Sequence, residues 1–164
     1  YKPAIGKMVP DTVSVYLRRS NSPFTIIDSA KALTDSLGYG LYNFSRAKYD
    51  SLYYLTVSHR NSIETWSKFS MPFDDDLQYD FTTDSAKAFG NNQKKAGTKW
   101  LIFTGDADQN TTVDATDLSQ ADNDAANYAS GYLSTDFNGD GFVDATDFAI
   151  CDNNAADFVG TISP

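Results

Sequence analysis

Between Gly105 and Phe148 the chain repeats one arrangement of oxygen-bearing side chains. Asp106, Asp108, Asn110, Thr112, Asp114 and Asp117 occupy positions 1, 3, 5, 7, 9 and 12 of a twelve-residue loop, and Asp136, Asn138, Asp140, Phe142, Asp144 and Asp147 occupy the same positions thirty residues later. Calcium is a hard cation that takes about six to eight oxygens, and this spacing lets one tight loop supply them, with position 7 contributing its main-chain carbonyl. A single aspartate-rich stretch describes a solvated acidic surface equally well, whereas two copies in register favour two calcium ions. The second copy has Gly141 at position 6, where the backbone must turn sharply. The first has Thr111 there, so its site is expected to be strained and weaker.

These are loops of EF-hand type, and each is followed by residues with helical spacing. Leu118, Ala121, Ala125 and Ala126 come after the first; Phe148, Ile150, Cys151 and Ala155 come after the second. Two such helices can face each other across a pseudo-twofold axis. Residues 105 to 164 hold 12 Asp and no Glu, Lys, Arg or His. Cations that neutralise this cluster are expected to be what lets so small a core fold.

The other residues make a different module. Residues 1 to 104 carry the remaining 10 acids and all 13 bases, which places a boundary at Thr104 and Gly105 and gives two domains, 1–104 and 105–164. Thr12 to Arg18 alternates, with Val13, Val15 and Leu17 on one side, the period of a half-buried strand. Phe24 to Ile27, Ser29 to Leu37, Gly40 to Phe44, Leu52 to Val57, Gln78 to Thr82 and Lys99 to Phe103 read as further short strands. The pattern predicts an antiparallel β-sandwich.

Composition removes many functions. A net charge of −9 disfavours nucleic-acid phosphates and anionic membranes, and no apolar run approaches a membrane span. One cysteine, Cys151, excludes an internal disulfide and is expected to be a buried thiol on its helix. The single histidine, His59, has no Cys or Ser motif beside it and reads as a structural residue at a strand end, with Glu64 placed to anchor Arg60 in the following turn. Asp74-Asp75-Asp76 reads as a solvated loop. Lys94, Lys95 and Lys99 form a basic cluster that could meet the acidic repeat. The opening at Tyr1, without Met or a signal segment, suits a processed product.

A duplicated calcium loop followed by one helix, with Asp at position 12, resembles the dockerin modules of secreted bacterial carbohydrate-degrading systems. The resemblance covers residues 105 to about 157 and implies a cohesin partner contacted through loop positions 10 and 11, which here are Ala115-Thr116 and Ala145-Thr146. Three further stretches are Met8-Val9-Pro10-Asp11-Thr12-Val13, His59-Arg60-Asn61-Ser62-Ile63-Glu64-Thr65-Trp66 and Ala88-Phe89-Gly90-Asn91-Asn92. With the calcium repeat and the closing Ile-Ser-Pro, they resemble a sandwich-plus-dockerin-like unit at the C-terminal end of secreted, surface-associated bacterial proteins.

The resulting expectation is a mainly β chain with a small α module: an immunoglobulin-like or transthyretin-like sandwich followed by a dockerin-like pair holding two Ca2+. In relatives a further strand precedes the Met-Val-Pro-Asp-Thr segment, so the sandwich is expected to expose an edge that another chain can fill. The expected role is non-enzymatic: a secreted or cell-surface structural module that assembles with copies of itself, as in a fibre. The candidate donor strands are Tyr1 to Pro10 and Phe158 to Pro164. The rival is a dockerin that binds a cohesin-bearing scaffold. A third reading is a sandwich that stacks sugars on exposed aromatics.

Overall fold

A computed structural model describes residues 10–164. The chain is mainly β with two helices, and its sheets are antiparallel. Its described residues divide into two compact units: one of residues 10–58, 64–101 and 162–164, the other of residues 59–63 and 102–161. Tyr1 to Val9, nearly all of the first candidate donor strand, lie outside the described residues.

The first unit is built on strands β1 (Thr12–Arg19), β2 (Ile26–Leu33), β3 (Leu52–His59), β4 (Ser62–Trp66) and β5 (Met71–Pro72). Their order is β2-β1-β3-β4, with β5 pairing on β3. The register sets Val15 opposite Val57 and Leu17 opposite Leu55, so the alternating apolar residues of β1 and β3 stack on one face. Burying Leu17 completely contributes about 1.5–3 kcal/mol.

The cover over that face differs from the expected second sheet. Gly40–Phe44 and Gln78–Thr82 form no strand, yet their Tyr42, Phe44 and Tyr79 pack on the sheet together with Phe73 and Leu77. Phe73 meets Phe44, Tyr49 and Tyr53 edge to face, at centroid distances of 6.2 to 6.3 Å. Asp28, opposite Leu17, is buried on the same face and accepts hydrogen bonds from the backbone N–H groups of Arg46 and Ser29. These donors, with the Arg46 guanidinium beside it, hold its carboxyl below the usual carboxylate range against the opposing effect of burial.

On the opposite face Arg18 pairs with Glu64 at 2.8 Å and lies over Trp66 at 4.8 Å from its centroid. Strands β6 (Lys94–Ala96) and β7 (Lys99–Leu101) form a separate two-stranded sheet. Among the described residues, no strand pairs with the outer edge of β2.

The second unit contains helices α1 (Ala115–Ala126) and α2 (Ala145–Ala156). Each opens with a capping box, Asp114 with Asp117 and Asp144 with Asp147, so aspartates of the loops also start the helices. The core consists of Ile63, Ala107, Val113, Ala121, Phe137, Cys151 and Val159, flanked by Phe103, Leu118, Ile150 and Ala155. The loops and helix ends are cross-clasped. Val113 N–H donates to the Val159 carbonyl and Thr161 N–H to that of Thr111, both at 2.8 Å. In the other half Val143 donates to Ala129 at 2.9 Å and Gly131 to Gly141 at 2.8 Å. Each loop is thereby stitched to the segment that follows the helix of the other repeat. The second candidate donor strand is thus engaged within its own chain: Val159 to Thr161 pair with the first loop, and Ile162 closes on Gly90 in the first unit.

Candidate metal centre

The first loop brings Asp106, Asp108 and Asp117 together, with one carboxylate oxygen of each within 4.8 Å of the others. Asp106 and Asp117 are buried and Asp108 is exposed. Backbone N–H groups set these carboxylates in place. Asp117 accepts from Ala107 at 2.7 Å, Asp108 at 3.2 Å and Asp114 at 2.9 Å, while Asp106 accepts from Asn110 at 3.0 Å and Thr111 at 3.1 Å. Burial, joined by the charges of Asp117 and Asp108, pushes the Asp106 carboxyl up to about 6 despite those donors. Buried acids that repel one another in this way are electrostatically suited to a divalent cation.

Asn110 and Thr112 are exposed on the rim, where the Thr112 N–H and Oγ1 both donate to Asn110 Oδ1. The second loop repeats the plan. Asp147 accepts from Phe137, Asn138 and Asp144, and Asp136 accepts from Gly139, Asp140 and Gly141. Burial raises the Asp147 carboxyl. Position 3 is Asn138, an amide in place of the Asp108 carboxylate, and Asp140 and Phe142 are exposed. Asp114 and Asp144 are the helix N-caps, taking the N–H groups of Thr116 and Thr146 at 2.7 Å. Ala115, Thr116, Ala145 and Thr146 all lie exposed in the first helical turns.

The backbone separates the two loops. Positions 4 and 6 take positive φ in both: 75° and 90° at Gly139 and Gly141, 58° and 83° at Gln109 and Thr111. The second loop places glycine at both left-handed positions, and the first places a β-branched residue at one of them.

Two residues outside the repeat also touch the second loop, Arg60 and Asn61. Asn61 Nδ2 donates to the Asp136 carbonyl at 2.7 Å and Arg60 Nη1 donates to it at 3.2 Å. Arg60 also pairs with the Asp136 carboxylate at 3.7 Å and covers the Tyr132 ring at 4.5 Å. They lie more than seventy positions upstream, beyond the reach of any local pattern. In the first loop Gln109 caps the corresponding Asp106 carbonyl at 2.7 Å.

His59 ends β3 with Nδ1 2.8 Å from Asn61 Oδ1. Cys151 is buried, and burial first, then the charge of Asp117, pushes its thiol up to about 12. In the exposed loop Asp74–Asp76, Asp74 accepts from the Asp76 N–H.

No protein-family model and no curated protein matches the chain. Its fold is similar to that of a chain in the crystal structure of a type II cohesin–X-dockerin complex from Acetivibrio cellulolyticus, an N-terminal interface mutant. The TM-score is 0.50 at 14% identity, over 95% of this chain and 88% of that one. At this identity the likeness is one of fold. It extends over both units, in keeping with a mainly β chain that carries two helices.

Proposed function

We propose that the chain is a non-catalytic extracellular module whose second unit binds two Ca2+ and which assembles with copies of itself in a bacterial surface or fibre-like structure. The observation that carries the metal reading is the convergence of Asp106, Asp108 and Asp117 in a loop whose plan recurs thirty residues later. The first loop would hold its ion through Asp106, Asp108, Asn110, Thr112, Asp114 and Asp117. The second would use Asp136, Asn138, Asp140, Phe142, Asp144 and Asp147, with Thr112 and Phe142 giving carbonyl oxygens. Millimolar extracellular calcium keeps even weak loops of this type filled, and this supports a secreted or cell-surface setting.

The self-assembly reading rests on the outer edge of β2, which no strand among the described residues pairs with and whose backbone groups can take a strand from another copy. Light scattering in calcium and in excess chelator tests it. Large oligomers in calcium are the expected result, and a monomer in both conditions overturns it.

A second reading is favoured by the fold likeness to a chain of a cohesin–X-dockerin complex. In it the duplicated loop unit is a dockerin-like module that binds a cohesin-bearing scaffold through Ala115-Thr116 or Ala145-Thr146. Binding to a cohesin-like protein that is lost when Thr116 and Thr146 are both replaced would move this reading to first place.

A further inference from the structure

Two features that local physics disfavours coincide at the same place in both repeats. Tyr128 follows α1 and Phe158 follows α2, thirty positions apart, and both adopt φ of 53°. Each closes a left-handed helix cap: Tyr128 N–H donates to Ala125 and Ala129 N–H to Asp124, and the same bonds run from Phe158 to Ala155 and from Val159 to Asn154. Glycine is the usual occupant of this cap position, because a side chain there is strained. Here the occupants are large aromatics, 91% and 92% exposed, so packing within the unit does not account for them.

The second feature is charge. A helix C-terminus is the negative end of its dipole and favours Lys or Arg, yet neither helix has a basic residue in its last turn. Asp157 caps α2, and Asp152 and Asp122 are exposed nearby on α2 and α1. Strain, exposed apolar surface and an acidic rim are thus concentrated at two symmetry-related corners. The cross-clasps set each corner beside the start of the other helix. Phe158 precedes Val159, whose carbonyl takes the N–H of Val113 two residues before Ala115, and Tyr128 bears the same relation to Ala145.

We propose that these corners are the acidic half of a head-to-tail contact with a second copy of the chain, whose basic β6–β7 hairpin seats against Tyr128 or Phe158. This rests on the self-assembly reading and adds to the edge of β2 a second contact between copies. Charge complementarity selects the occupant. Apart from the loop ligands, residues 105 to 164 carry Asp122, Asp124, Asp152 and Asp157 and no base, whereas β6 presents exposed Lys94 and Lys95, with Lys95 lying 5.8 Å from the centroid of Trp100. Exposed lysines, one of them over a half-buried ring, offer the cations that an exposed aromatic edged by carboxylates lacks. A contact between two different surfaces adds copies head to tail, into a ring where the rotation closes and a filament where it does not.

The test uses the full chain in calcium, followed by light scattering and thermal melting. Tyr128→Gly with Phe158→Gly should weaken assembly at least about tenfold while raising the melting temperature by about 2–4 °C, because glycine relieves the left-handed caps. Asp122→Lys with Asp152→Lys and Asp157→Lys, which reverses the charge at both corners, should also lose assembly. Mixing that variant with Lys94→Glu/Lys95→Glu should restore it, since every contact in the mixture again joins opposite charges. If the wild type assembles and the glycine variant assembles equally well, this surface is wrong and the self-assembly reading stands. A glycine variant that melts lower makes the aromatics structural and overturns the proposal. A wild type that stays monomeric overturns the reading and the second-copy contact together, and assigns the corners to another partner.

Discussion

Thr111 shows how much one residue can separate two otherwise parallel sites. At φ 83° it holds a β-branched side chain in a backbone region that costs an L-residue roughly 1–2 kcal/mol, while Gly141 occupies the same turn without that cost. Glycine loses more backbone entropy on ordering, which offsets part of the gain, so Thr111→Gly should raise the calcium affinity of the first loop by about fivefold. Calorimetric titration of wild type and variant checks this, and unchanged affinity would show that the strain is the same with and without the ion. Asp28 provides the pH counterpart. Its folded-state carboxyl lies below the usual range, so the stability it supplies is present above the unfolded value near 3.8 and is lost as pH falls through the lower folded one. Asp28→Asn should therefore flatten the acid limb of the first unit's melting-temperature profile. A profile as steep as that of the wild type would place the acid sensitivity elsewhere.

At the scale of elements, the turn between β3 and β4 acts as a support for the second loop. Without calcium, the buried Asp136 carboxylate has Arg60 as a partner, and bound calcium would take over part of that compensation. Arg60→Gln should thus cost about 2 kcal/mol of stability in chelator and clearly less in calcium. Equal losses in paired denaturation curves would argue that Arg60 supports the fold without reference to the metal. The loops themselves should differ as their glycines do, with Asp147→Ala lowering the calcium-dependent melting temperature more than Asp117→Ala.

Legibility in the sequence followed the same scale. β1 is plain in the sequence because alternation over Thr12 to Arg18 is a local signal, and the two acidic loops are plain because the aspartates of each lie within twelve residues. Gly40–Phe44 and Gln78–Thr82 misled because an aromatic that caps a sheet face from a loop has the composition of one that lies within a strand. β4 was read as a motif, since Ile63 and Glu64 carry no alternation strong enough to mark five residues as a strand. Arg60 and Asn61 were illegible as site residues because only the fold brings them to Asp136.

For the whole molecule, the two units carry separate reporters. Trp66 and Trp100 both belong to the first unit, and α1 and α2 both belong to the second. Chelator should therefore lower the thermal transition seen by helical circular dichroism while leaving that seen by tryptophan fluorescence much less affected. Coincident transitions in both conditions would show that the units unfold as one.

The cross-clasps bear on how such a unit could have arisen. A single repeat, made alone, would present a loop lacking its stitching segment and a stitching segment lacking its loop. Two identical copies supply each other's missing halves, so an isolated repeat should exist as a symmetric homodimer that the covalent link between the halves has since made permanent.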